Sequence, residues 1–499
     1  MPDAEPLILA IDQGTSATKA ALVSRAGDVV ARASAALPVH HPHRGWVEQS
    51  PAEIWHSLEK SVQACLKRTD PGRLAGIGLS NQRESLLLWD RRTGEILSPL
   101  ISWQDQRTAL MCREYADSAA TVRELSGLPL DPMFSATKAR WLLDHFDPDR
   151  TRVARGELCL GTVDAWIVHQ LTGEHQVEVG NAARTQLMDI QTCQWAPQLL
   201  DLFGVPEQAL PDIVSSTGPF GRRRGGDAIP AGVPLLAVMG DSHAALFGHA
   251  GWRAGLVKAT YGTGSSVMAA AAGRAGQDSG LCDTVAWQIG AQPVRAVEGN
   301  IRSSGATLAW LARLTSASPA QLASIAADAQ ADGVHLVPGF NGLGAPWWDP
   351  EVTGLLTGLT LGTRLENVAR AALESIAFQV NDLLIAIREA AGPAGVLSAN
   401  GGAAANSTLM QLQADISGIP VLRPEAADLS ALGAAHLAGL AAGLWSTEDL
   451  DALPRPHDEF TPVADARWRD REVTSWRAAV RRARYRPGNG KPETPMEDP

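Results

Sequence analysis

The chain has 499 residues, 45% of them hydrophobic and 19% charged, too long for one hydrophobic core and suited to two domains plus a tail. Its formal charge of −11, with no long basic stripe to offset it, disfavours a polyanionic partner, and no nucleic acid is expected. No apolar run is long enough to span a membrane and no basic region precedes an apolar N-terminal segment, so neither a membrane partner nor a secretory signal is expected; the five scattered cysteines lack metal-ligand spacing and point to a reducing, cytoplasmic location.

In chain order, Leu7–Ile11 is a short buried strand that stops at Asp12-Gln13-Gly14-Thr15-Ser16, and an apolar run resumes at Ala20–Val23. Strand, Gly-Thr turn, strand is a hairpin, so this is not the strand-to-helix phosphate loop of the P-loop or dinucleotide folds. Gly14 permits a tight reversal, and the small hydroxyl residues after it let backbone N–H groups approach an anion, while Asp12 could hold Mg²⁺ or one of its waters. A plain surface hairpin accounts for this stretch equally well. His40, His41 and His43 lack a fourth ligand and read as a solvated loop. Ser50, Pro51 and Glu53 then predict a capping box opening a helix through Leu66.

Leu74–Ser80 reads as a strand delivering Asn81-Gln82-Arg83-Glu84 at its end, and Trp103-Gln104-Asp105 follows closely. Arg83 and Glu84 could be an ordinary ion pair. Beside an indole they also make what a small polyhydroxylated ligand needs, directional bonds to hydroxyls and a face for its C–H groups. Arg222-Arg223-Arg224 reads as a solvated basic turn. Val233–Met239 is a buried strand carrying Asp241 to the start of a helix, where an aspartate is commonly a cap; in a kinase a carboxylate there takes the proton of an attacking hydroxyl. His243, one helix position on, is expected to face away. A second hairpin follows, Lys258–Tyr261, Gly262-Thr263-Gly264 and Val267–Ala270, half a chain from the first, which suggests two related halves facing one nucleotide. Gly401-Gly402 and Asn406 precede a helix, residues 431–443 are a small-residue helix expected to pack closely on a sheet, Ala464–Arg484 is an amphipathic surface helix and 488–499 is expected to be disordered.

Two phosphate hairpins in tandem resemble the actin-like ATPase superfamily. The match becomes specific at Gly45-Trp46-Val47-Glu48, Asn81–Glu84, Trp103–Thr108, Gly127–Pro132, Ser135–Lys138, Gly161–Trp166, Asn181–Thr185, Gly342–Pro350 and Gly354–Glu374. Together these closely resemble the FGGY family of carbohydrate kinases, most of all its glycerol-phosphorylating branch, over residues 7 to 446. The resemblance implies an α/β fold of two ribonuclease-H-like domains with a cleft between them, divided as 1–246, 247–455 and a terminal segment 456–499. It implies ATP and Mg²⁺, a small polyol or sugar substrate and a homo-oligomer, a dimer or tetramer.

Carried over residue by residue, the resemblance makes Asp241 the catalytic base and places Arg83, Glu84, Trp103, Met133, Asp241, Ser242 and Ser266 at the substrate. It puts Thr15, Ser16, Ala17, Lys19, Thr263, Gly305, Gly401, Gly402 and Asn406 at the nucleotide, with Mg²⁺ at Asp12 and Asp241. Three positions depart from the family's glycerol pocket: Met133 and Ser266 replace aromatics, and Ser242 replaces a glutamine. Asn400 and Ala309 also differ near the adenine. A cavity that loses two aromatic walls should be larger, which favours a longer polyol or ketose beside glycerol as the default. A nucleotide-dependent binding protein on the same scaffold would need neither Arg83-Glu84 nor Asp241.

Overall fold

The computed structural model describes residues 5–226 and 228–486, so the tail expected over 488–499 lies outside the described residues. A five-stranded sheet forms from the first half. Leu7–Gln13 pairs antiparallel with Ala17–Ser24, which pairs antiparallel with Val29–Ala36; on its other side Leu7–Gln13 runs parallel to Leu74–Asn81, and that strand parallel to Leu235–Gly240. The second half repeats the plan. Leu256–Tyr261 pairs antiparallel with Ser265–Ala270 and that strand with Gln292–Ile301, while Val396–Asn400 and Val421–Pro424 join in parallel on the other side. Cys282–Ile289 and His457–Phe460 extend this sheet to seven strands. The repeat that two hairpins suggested is therefore a repeat of five strands, order and direction alike.

Leu7–Ile11 reads as a near-continuous apolar run because both faces of its sheet are covered. Helix Pro51–Leu66 packs on one side, burying Ile54, Leu58 and Val62. Ser50 caps it, accepting from the Glu53 amide at 3.4 Å, but Glu53 turns instead to His40 Nε2 at 2.8 Å. Only half of the expected capping box forms, because the histidine offers the carboxylate a second partner.

The other face is covered by the small-residue helix, Leu429–Ala441, which comes from the far end of the chain. A Cβ on Gly78 would lie 2.3 Å from the Ala434 carbonyl oxygen, and one on Gly433 would lie 1.8 Å from that of Ala244. Close packing was expected of this segment; the sheet it packs on belongs to the first half. Helix Ala466–Arg484 is, as expected, amphipathic and on the surface, docked by an apolar face that buries Trp476, Ala479 and Val480. Trp476 stacks on Phe378 at 5.3 Å and donates Nε1 to Asp382 Oδ2 at 2.8 Å. Arg223 departs from the expected solvated turn: it is buried over the Trp55 ring. All five cysteines are free and buried, and no helix among the described residues is long and apolar enough to cross a membrane.

Candidate active site

Asp241 opens the helix Asp241–Gly248 directly at the end of strand Leu235–Gly240, which pairs with the strand that carries Arg83 at its exit. Gly240 is required by contact, since a Cβ there would meet Arg83 Cδ at 2.5 Å. Arg83 Nε thus lies 3.3 Å from Asp241 Oδ1. The Asp241 carboxylate remains 41% exposed, so a hydroxyl can reach it. Crowding by protein atoms raises its pKa, Arg83 pulls it back, Glu84 raises it and Lys258 lowers it.

Beneath this pair is a buried charge cluster. Arg83 grips Glu298 with both terminal nitrogens at 2.9 and 2.7 Å, Arg184 Nη1 stands 3.0 Å from the same carboxylate, and Arg184 Nε donates to Glu84 Oε1 at 2.7 Å. Burial opposes ionisation of Glu298, but the two guanidinium groups prevail and hold its pKa well below the ordinary range. Lys258 lies fully buried beside them, its ammonium 3.3 Å from Ser266 Oγ and its pKa lowered to about 8 by burial. Three basic side chains, Arg83, Arg184 and Lys258, thereby balance Glu84, Glu298 and Asp241. Glu84 sits at φ 60 between two strands, a left-handed conformation that a glutamate rarely adopts and that active sites often hold. His243 does face away from the cleft: it is buried behind Arg83, 3.4 Å from Nη1, and burial drives its pKa far down, leaving a neutral imidazole.

The first hairpin stands near Asp241, whose charge acts on Asp12 near the end of its first strand. Gly14 N–H closes the turn on the Ala17 carbonyl at 3.0 Å, Trp103 Nε1 donates to Thr15 Oγ1 at 3.0 Å, and Ser16 at the tip is exposed. Lys19 pairs with Asp428 at 2.8 Å. The second hairpin meets the cluster through Ser266, whose hydroxyl donates to Glu298 Oε1 at 2.7 Å. Its exposed Thr263 accepts from the Ser304 and Ala306 amides, and Gly305 N–H donates to the Gly262 carbonyl. Gly401, at φ 94, would drive a Cβ to within 2.5 Å of the Tyr261 carbonyl oxygen, whereas Gly402 faces open space. Asn406 caps the following helix, accepting from the Leu409 amide at 3.0 Å. Met133 and Trp348 each pack against the cluster of Leu128, Phe134 and Cys282, and Phe134 lies under the Arg184 guanidinium at 5.1 Å. Ser242 donates its amide to Asp241 Oδ1 at 2.6 Å.

The sequence reading assigned no role to Arg184, Lys258 or Glu298. Arg184 lay within a recognised segment, and Glu298 was legible as one acid inside an apolar strand. Among the described residues no three His, Cys, Asp or Glu side chains converge as a metal cage. A divalent cation here would take one or two carboxylates and complete its shell with phosphate oxygens and water, as Mg²⁺ prefers. Asp12 fits that description. Ser80 Oγ binds only its Oδ1, and burial together with nearby Asp241 and Asp428 holds its pKa at about 6 against the pull of Lys19.

The model of the FGGY carbohydrate-kinase N-terminal domain matches residues 7–248, and that of the C-terminal domain matches residues 257–442. A glycerol kinase of Aromatoleum aromaticum is 42% identical over 489 residues, covering 96% of this chain and 98% of its own. A glycerol kinase of Methylobacterium nodulans is also 42% identical, covering 95% and 97%. Among solved structures, Plasmodium falciparum glycerol kinase with ADP superposes with a TM-score of 0.89 at 28% identity, covering 97% of this chain and 99% of its own. Rhodospirillum rubrum xylulose kinase gives 0.84 at 25% identity, covering 96% and 99%. With both domain models matched in order across most of its length, the chain belongs to the FGGY family of carbohydrate kinases.

Proposed function

We propose that this kinase transfers the γ-phosphoryl group of ATP to a primary hydroxyl of a small polyol, with glycerol as the first substrate to test. The observation that carries the reading is the half-exposed Asp241 carboxylate, 3.3 Å from Arg83, whose charge acts on Asp12 of the first hairpin and whose Arg83 partner grips Glu298, bound in turn by Ser266 of the second hairpin. Residues 1–246 would supply the substrate groups and first phosphate turn, and 247–455 the nucleotide wall.

In this reading Asp241 accepts the hydroxyl proton as the oxygen attacks phosphorus, and Arg83 fixes the carboxylate's direction. Glu84 Oε2, left free by Arg184, and an Arg83 Nη2 hydrogen not engaged by Glu298 hold the neighbouring hydroxyls. Trp103 supplies the flat wall, anchored to the first hairpin through Thr15. Thr15, Ser16, Ala17 and Lys19 face the phosphates from one side and Thr263 with Gly305 from the other, while Gly401 and Gly402 leave room for the base and Asn406 holds the helix beside it. Mg²⁺, when bound at Asp12 and Asp241, supplies charge neutralisation for the transferring group.

A second reading, a longer polyol or ketose, is supported by Ser266, Ser242 and Met133. Ser266 offers a hydroxyl tied to Glu298 and Lys258, where the resemblance puts the substrate wall. ADP release over a panel of glycerol, tetritols, pentitols and pentuloses separates the readings, and a chain stimulated by none of them is not a polyol kinase. Asp241→Asn should cut kcat by about a thousandfold while leaving nucleotide affinity intact; unchanged turnover rules out Asp241 as the base. Exposed Leu359, Leu361 and Leu365 are apolar surface that a homo-oligomer would cover, and the mass in solution tests that assembly.

A further inference from the structure

Arg302 follows the strand Gln292–Ile301 and rests its backbone on the second phosphate turn, so closely that a Cβ on Gly264 would lie 2.4 Å from the Ile301 carbonyl oxygen and 3.4 Å from that of Arg302. The next residues bind the same turn, Ser304 N–H to Thr263 and Gly305 N–H to Gly262, both at 2.9 Å. The Arg302 side chain reaches away to the other half of the molecule. Its Nη2 donates to Asp131 Oδ2 at 2.5 Å, and its Nη1 is steadied by the Asn341 carbonyl at 2.9 Å. The second Asp131 oxygen accepts from the Met133 amide at 2.9 Å. Met133 packs against the cluster of Leu128, Phe134 and Cys282; Phe134 lies under Arg184, and Arg184 grips Glu84. One carboxylate thus has its two oxygens on a group anchored at the phosphate turn and on the backbone of the substrate wall.

Other contacts also join the halves: Arg83 and Arg184 meet Glu298 beneath the pocket, and others account for cohesion without ending there. Arg295 Nη1 donates to the Ile190 carbonyl at 2.5 Å, and Arg123 donates to the Leu281 carbonyl. The Asp131–Arg302 pair differs in what it connects. Both partners are largely shielded, 12% and 22% exposed, so solvent screens them less than a surface pair.

We infer that Arg302 is a positioning residue that, through Asp131, sets the Met133 wall according to the state of the second phosphate turn, so that nucleotide and polyol bind synergistically. This rests on the proposed placement of nucleotide at Thr263 and polyol at Met133. It assigns Arg302 no contact with either ligand.

Hydrogen–deuterium exchange of the full chain with and without a non-hydrolysable ATP analogue tests the link whatever the polyol. In the wild type, protection is expected at 262–266 and also at 127–134; in Arg302→Gln the second is lost and the first kept. With glycerol as substrate, Arg302→Gln should raise KM by about tenfold and leave kcat within about twofold, the pattern of lost ground-state positioning. Adding Asp131→Asn to it should cost nothing further, as one shared interaction requires. Arg295→Gln controls for cohesion between the halves and should behave as wild type in every readout. Should Arg302→Gln fail to fold, Arg302→Lys, which keeps the charge but loses the fork, is expected to give the same changes at smaller size. Protection at 262–266 without any at 127–134 in the wild type, or an Arg302 variant indistinguishable from wild type, overturns the inference and leaves the kinase reading standing. Absence of protection at 262–266 in the wild type overturns the nucleotide placement itself.

Discussion

At the scale of single residues, the site is a balance of charges too deep to be screened. Glu298 is fully buried and answers two guanidinium groups at once, so replacing it would strand both Arg83 and Arg184 without solvent to compensate. Asp241 differs because it opens to the cleft and carries a raised pKa. As the proposed base it works in the ionised form, so kcat/KM should fall on the acid side at a pH above the ordinary aspartate value of 3.8. Arg83 favours that ionised form, and Arg83→Gln should therefore move the acid limb to still higher pH. A pH–rate profile of both proteins checks this, and a limb that stays put or moves downward contradicts the assignment. A raised pKa in a base brings it closer to the pH at which it works.

At the scale of elements, the two hairpins owe their similarity to the strands beside them, which fix where each turn points. The side proposed for the substrate is held by a quieter network. Strand Leu74–Asn81 ends on Asn81, which bonds Asn181 Oδ1 at 3.0 Å; Asn181 bonds Glu178, and Glu178 accepts from Ser216 at 2.5 Å. Burial raises the Glu178 pKa from 4.5 to about 8, more than its hydrogen bonds lower it. The folded state therefore binds this proton more tightly than the unfolded chain. The associated stability is full below the unfolded value, declines as pH rises between 4.5 and about 8, and is gone above. Urea unfolding across that range should show the decline, and Glu178→Gln should flatten it; a variant with the wild-type slope would assign the pH dependence elsewhere.

At the scale of the whole molecule, the end of the chain holds the beginning together. Helix Leu429–Ala441 lies between the first sheet and the helix that starts at Asp241. Gly433→Ala would ordinarily help a helix by about 1 kcal/mol. Here the added methyl would meet the Ala244 carbonyl oxygen at 1.8 Å and Gly248 N at 3.0 Å, which helix propensity cannot offset. We expect a net loss of about 1–3 kcal/mol by urea unfolding, with kcat falling too because the displaced helix carries Asp241. A stabilised, fully active variant would show that the contact relaxes freely.

The sequence by itself determined what local periodicity and turn chemistry encode: the two Gly-Thr hairpins, the strand exits bearing Arg83-Glu84 and Asp241, and the small-residue helix. The capping box was half legible, since Ser50 acts within its own helix whereas Glu53 answers a histidine thirteen positions back. Only the tertiary structure decided which charges neutralise one another. Glu298 lies 215 residues from Arg83 and 114 from Arg184, and nothing in either neighbourhood names the other. It also decided which sheet the late helix covers. Burial makes such pairings obligatory, because a desolvated charge must find its partner wherever the chain brings one, and separation along the sequence carries no record of that choice.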